Sequence, residues 1–91
     1  MGDGVADSKV DFGALAALHK WPSLANQRRP DREPYQISEG TLDECISVFM
    51  EKPAATRHLY EIRTVAQPPL VTGILSSEHI IELSRWREFL R

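Results

Sequence analysis

The sequence predicts an α+β fold in the order α-α-β-β-α, a small antiparallel hairpin or sheet covered by two or three helices. Three observations carry that reading. Thr41 and Glu44 form a Thr-x-x-Glu capping box directly before an apolar stripe of Leu42, Cys45, Ile46, Phe49 and Met50. Two runs rich in β-branched and aromatic residues, "RHLYEIRTV" and "LVTGIL", flank "AQPP", which is the pattern of a hairpin. Finally, Ser77 precedes "EHIIELSRWREFLR", with acids early and arginines late, as the helix dipole favours.

Residues 1–10 are small and polar and predict a disordered tail, leaving residues 11–91 as one domain. Asp11 stands where an N-cap would serve a helix over "FGALAALHKW", with Phe12, Leu15 and His19 on one stripe. Pro22 disfavours helical geometry at Trp21 and ends it. Residues 22–40 contain three prolines and charges that cancel, so they predict an extended connection. Within it, "PYQI" has the makings of a short strand. The helix after Thr41 carries Lys52 at its negative end and stops at Pro53.

Along "RHLYEIRT" alternate residues share a face. His58, Tyr60, Ile62 and Thr64 form the expected core side, with Arg57, Leu59, Glu61, Arg63 and Val65 outside. The second run is apolar on both faces, Leu70 and Ile74 on one, Val71 and Leu75 on the other. In the last helix Ile80, Leu83, Trp86 and Leu90 make the main stripe, while Ile81 and Phe89 fall outside it.

A chain of 91 residues with a net charge of −2 lacks the positive excess that phosphate backbones select. Arg28, Arg29 and Arg32 are interleaved with Asp31 and Glu33, which neutralise much of that cluster. A recognition-helix reading of "LDECISVFMEK" meets three acids against one lysine. The single cysteine, Cys45, excludes an intrachain disulfide and a Cys-rich zinc site. Glu78, His79 and Glu82 have a spacing that can ligate metal, but first-turn acids are ordinary helix chemistry. No metal and no cofactor is expected. The first ten residues have neither a basic n-region nor an apolar h-region, and Ala6 stands where myristoylation wants Ser or Thr. The expected compartment is the cytoplasm, without membrane attachment.

These features point to a small non-enzymatic interaction module, an adaptor or regulatory subunit that self-associates as a homodimer. Its binding surface is expected at Arg57, His58, Tyr60, Glu61 and Arg63. Its dimer interface is expected at Gly73, Ile81, Trp86 and Phe89. One alternative is a ligand-binding or catalytic domain centred on residues 57–64, although no nucleophile, oxyanion turn or phosphate loop lies nearby. Another is a weak nucleic-acid binder using Arg28, Arg29 and Arg32.

Overall fold

The computed structural model describes residues 10–67 and 72–89, and it is α+β. Its centre is a four-stranded antiparallel sheet in the order β4-β1-β5-β6. These strands are β1 (Leu15–Lys20), β4 (Tyr35–Thr41), β5 (Tyr60–Thr64) and β6 (Ile74–Leu75). A separate two-stranded hairpin joins β2 (Ser23–Leu24) to β3 (Gln27–Arg28). Two helices, α1 (Leu42–Met50) and α2 (Ser77–Phe89), pack on one face of the sheet, and a 3₁₀ helix spans Ala54–Leu59.

The helix expected after Asp11 is instead the strand β1, and it lies between β4 and β5. Residues 15–18, Leu-Ala-Ala-Leu, form a short unbroken apolar run that a helix or a strand can use, so periodicity alone does not choose between them. Burial decides it: Ala16 and Leu18 are buried, whereas Leu15, Ala17 and His19 are not. Backbone bonds to neighbours on both sides outweigh the helix propensity of the alanines. The Asp11 carboxylate does accept an N–H, from Gly13 at 2.9 Å, but it closes a turn rather than a helix. The disorder expected for residues 1–10 lies outside the described residues except at Val10, which packs partly buried against the core.

Residues 22–40 are likewise more structured than a connection. The β2–β3 hairpin turns at Ala25 and Asn26, both left-handed at φ 53° and 61°. That pair of positive angles matches the right-handed twist of a two-residue hairpin. Asn26 tolerates this region, while Ala25 is held there by its surroundings. Asn26 Nδ2 donates to Ala55 O at 2.9 Å, and His58 Nε2 donates to Asn26 O at 2.7 Å. The hairpin is therefore docked on the 3₁₀ helix. Strand β4 then runs along β1, with a bulge that shifts the register between Leu18 and His19.

Helix α1 follows β4 without a loop, and its first three N–H groups all find acceptors. Leu42 N donates to Ala14 O and Asp43 N to Phe12 O, both at 2.8 Å. Glu44 N donates to Thr41 Oγ1 at 3.1 Å, and Glu44 Oε1 accepts from Thr41 N at 2.8 Å, completing the capping box. Thr41→Ala is expected to cost about 1 kcal/mol, read as a lower urea midpoint. An unchanged midpoint would mean that the Ala14 and Phe12 carbonyls hold the helix start unaided. At the other end the expected partner, Lys52, is not what meets the free carbonyls. Arg57 meets them, its Nη2 donating to Met50 O at 2.9 Å and its Nε to Lys52 O at 3.2 Å.

The core gathers Leu18 from β1, Leu42, Cys45, Ile46 and Phe49 from α1, Ile62 from β5, Leu75 from β6 and Ile80 from α2. In α2 the buried set is Ile80, Leu83 and Ser84, with Ile81 packed partly against the core. Trp86, expected in the stripe, points outward instead; Leu90 lies outside the described residues. The face that packs is Ile80, Leu83, Ser84 and Arg87, a spacing in which the last member is a cation and so was missed. The cap of α2 is one residue earlier than expected, with His79 N donating to Ser76 Oγ at 3.4 Å.

Candidate functional site

The two helices cover one face of the sheet; the other carries no helix among the described residues and is covered only at its Glu61 end, by Trp21. Strand register fixes what that outer face displays, because directly opposed residues point the same way. Ala17 on β1 faces Glu39 on β4 and Arg63 on β5, and Arg63 faces Ile74 on β6. One row across the sheet therefore reads Glu39, Ala17, Arg63, Ile74. Leu15 lies one step along β1 and Val65 just beyond β5, at relative exposures of 74% and 56%. Ile74 is 52% exposed. Leu15, Ala17, Glu39, Arg63 and Val65 line a shallow, open depression of about 320 Å³.

The next row is polar and built differently. His19 faces Glu61, a carboxylate that is buried although it lies on the outer side. Trp21 and Arg63 bury it. Trp21 Nε1 donates to Glu61 Oε1 at 3.1 Å, and Arg63 Nε donates to Glu61 Oε2 at 2.8 Å. The Arg28 guanidinium stacks over the Trp21 ring, 5.2 Å from its centroid. Pairing on both oxygens offsets the desolvation of this carboxylate, which would be costly alone. His19 Nδ1 beside it is buried without a hydrogen-bond partner among the described residues.

The residues of "RHLYEIRT" do not converge. Arg57, His58 and Leu59 belong to the 3₁₀ helix rather than to the expected strand. Arg57 caps α1 and lies over the Phe49 ring, while His58 holds the β2–β3 turn. Tyr60 points into the core, edge-on to Phe49, with Lys20 and Lys52 over its ring. Glu61 and Arg63 face outward, as the alternation predicted. His58, Tyr60 and Glu61 thus occupy three different environments.

The arginines of the 22–40 segment are also engaged within the chain. Arg28 Nε donates to His58 O at 2.8 Å, and Arg29 forms an ion pair with Asp31 at 3.0 Å. Arg32 stands 3.9 Å from the same carboxylate. No group of three potential metal ligands comes together among the described residues. No helix among them is long and apolar enough to cross a membrane.

Of the expected interface residues, Gly73 is occupied by its own chain. A Cβ there would stand 2.6 Å from Thr64 O, so the close backbone approach is that of β5. Ile81 is committed in part to the core. Trp86 and Phe89 remain, 43% and 80% exposed, with ring centroids 6.3 Å apart on the outer side of α2. Compared with known proteins, the chain matches no family, no curated protein and no solved structure.

Cys45 is buried in the core, and its thiol is pushed above its ordinary pKa. Burial is the main cause and the negative charge of Glu44 the next, with Glu39 adding in the same direction against a backbone hydrogen bond to Leu18. The folded state then keeps the proton at a pH where the unfolded chain has lost it. Stability is expected to be flat below the ordinary thiol range of about 8.5 and to fall as pH rises beyond it. Comparing the pH dependence of the urea midpoint in the wild type and in Cys45→Ala isolates this contribution. A slope above that range shared equally by both proteins would assign it to other groups.

Reading the outer face from sequence required knowing that residues 15–20 are a strand. The alternation of Ala16 and Leu18 against Leu15, Ala17 and His19 was the available signal. Trp21 as the cover of Glu61 had none, because it depends on a contact spanning forty positions.

Proposed function

We propose that the chain is a non-enzymatic protein-interaction module, an adaptor or regulatory subunit, that associates with a second copy of itself. The observation that supports this reading best is the outer sheet face, where Leu15, Val65 and Ile74 are each more than half exposed around Ala17. Leu15, Ala17 and Val65 share one depression with Glu39 and Arg63 beside them and Ile74 beyond Arg63, and an exposed apolar patch bordered by charge is a common mark of an association surface. The ionisable side chains support the same reading, since Arg28, Arg57, Glu61 and Arg87 are all engaged in holding this fold.

The Trp86–Phe89 pair is a second apolar surface, carried on α2 away from the outer sheet face. Exposed aromatics of this kind serve as anchors for protein partners. An adaptor needs two such surfaces, one for its own copy and one for its target. Sedimentation equilibrium at tens of micromolar tests the self-association. The expected result is a mass twice the 10.3 kDa of the chain. A single species at the chain mass across that range would overturn it.

A further inference from the structure

Resting on that reading, we infer that the second copy docks face to face on the outer sheet, about a two-fold axis running along β1. The row Glu39–Ala17–Arg63 is what selects both the occupant and the axis. An acid and a base lie on opposite sides of a small residue, each one strand away, roughly 5 Å. A two-fold axis parallel to β1, midway between two such faces, exchanges left and right while keeping the level along the strand. It therefore sets Glu39 of each copy opposite Arg63 of the other. An axis across the strands would instead set Glu39 against Glu39 and Arg63 against Arg63. Charge complementarity thus admits a second copy and rejects the other face-to-face arrangement.

The groups involved are available for this role. Glu39 forms no ion pair among the described residues. Arg63 uses Nε toward Glu61, and its side chain, 45% exposed, lines the outer depression together with Ala17 and Glu39. Ala17, on the axis, has the smallest side chain that a strand can offer short of glycine, so the two β1 strands approach closely. Leu15 meets its own counterpart one level along the axis. Stacked sheets of this kind sit about 10 Å apart, a gap that side chains of this size fill.

Charge reversal tests the geometry. Glu39→Arg places arginine against Arg63 twice in the pair, and Arg63→Glu places glutamate against Glu39 twice. Each variant alone is expected to sediment at the chain mass, with association weakened at least tenfold. An equimolar mixture of the two variants restores both contacts and is expected to return the doubled mass. Because Arg63 also holds Glu61, far-UV circular dichroism and the thermal midpoint are recorded for each variant. Ala17→Tyr supplies a second test that leaves every ion pair in place, and it is expected to abolish the doubled mass by separating the faces. A doubled mass that survives Glu39→Arg and Ala17→Tyr overturns the sheet-face docking. If that mass is then lost in Trp86→Ala with Phe89→Ala, self-association stands and its surface is α2. A wild-type protein that sediments at the chain mass overturns both readings together.

Discussion

Phe49→Ala is expected to cost about 3–5 kcal/mol, enough to lower the thermal midpoint by on the order of 20 °C. Phe49 is fully buried at the end of α1, edge-on to Tyr60 with ring centroids 6.3 Å apart. The Arg57 guanidinium lies 5.8 Å from its ring centroid, so the same side chain joins α1, the 3₁₀ helix and β5. Removing the ring leaves a cavity that three elements cannot close without moving. Against a typical domain stability of about 5–15 kcal/mol, that is a large share. Phe49→Leu keeps most of the volume and is expected to cost only about 1–2 kcal/mol. Urea unfolding of both variants checks the pair. Equal losses would mean that the aromatic edge, rather than the filled volume, is what matters at this position.

Helix α1 was the part of the fold most legible in the sequence, and the reason is local. Thr41, Glu44 and the apolar spacing of Leu42, Cys45, Ile46 and Phe49 are contained in one short window. The structure uses all of them as that window implies. Strand β1 was misread for the opposite reason. Its identity depends on β4 and β5, which lie far along the chain on either side of α1. Alanine in "LAALHK" has no strand preference of its own, and Asp11 offered a plausible cap. The hairpin of residues 23–28 was hidden because its turn, Ala25–Asn26, lacks the glycine that usually marks such a turn.

The candidate site divides in the same way. Alternation alone puts Glu61 and Arg63 on one outward face, and there they are bonded at 2.8 Å, with Arg57 placed elsewhere in the 3₁₀ helix. Gly73 is expected from sequence at a dimer interface, and the backbone that approaches it is Thr64 of the same chain. What sequence could not supply was the company these residues keep. Glu39 and Ala17 join Arg63 only once β1 is a strand between β4 and β5. The stretch "RHLYEIRT" looks like a site because its residues are adjacent in the chain. The sheet and the 3₁₀ helix then distribute them to separate tasks.

The same distance effect hides Arg87, whose position late in α2 reads as ordinary dipole chemistry. In the fold its side chain lies between the helices, 11% exposed. Its Nη1 donates to Asp43 Oδ1 at 2.9 Å, Ser47 Oγ at 3.0 Å and Asp43 O at 3.1 Å. Three acceptors on α1 are thus held by one residue of α2, forty or more positions away. Truncating one member of a fully buried pair costs about 3–5 kcal/mol, whereas surface pairs give about 0–1 kcal/mol. Asp43 is 43% exposed, so water can resolvate its carboxylate once the arginine is gone. Arg87→Met is therefore expected to fall between those limits, at about 2 kcal/mol. Asp43→Asn should cost less, about 1 kcal/mol, because the carbonyl and Ser47 remain as acceptors. The double variant should lose less than the sum of the two, and the difference measures the coupling across the helix pair. Urea unfolding of the four proteins closes that cycle. If Arg87→Met left the midpoint unchanged, α2 would be held by Ile80 and Leu83 alone, and the clamp would contribute orientation without stability.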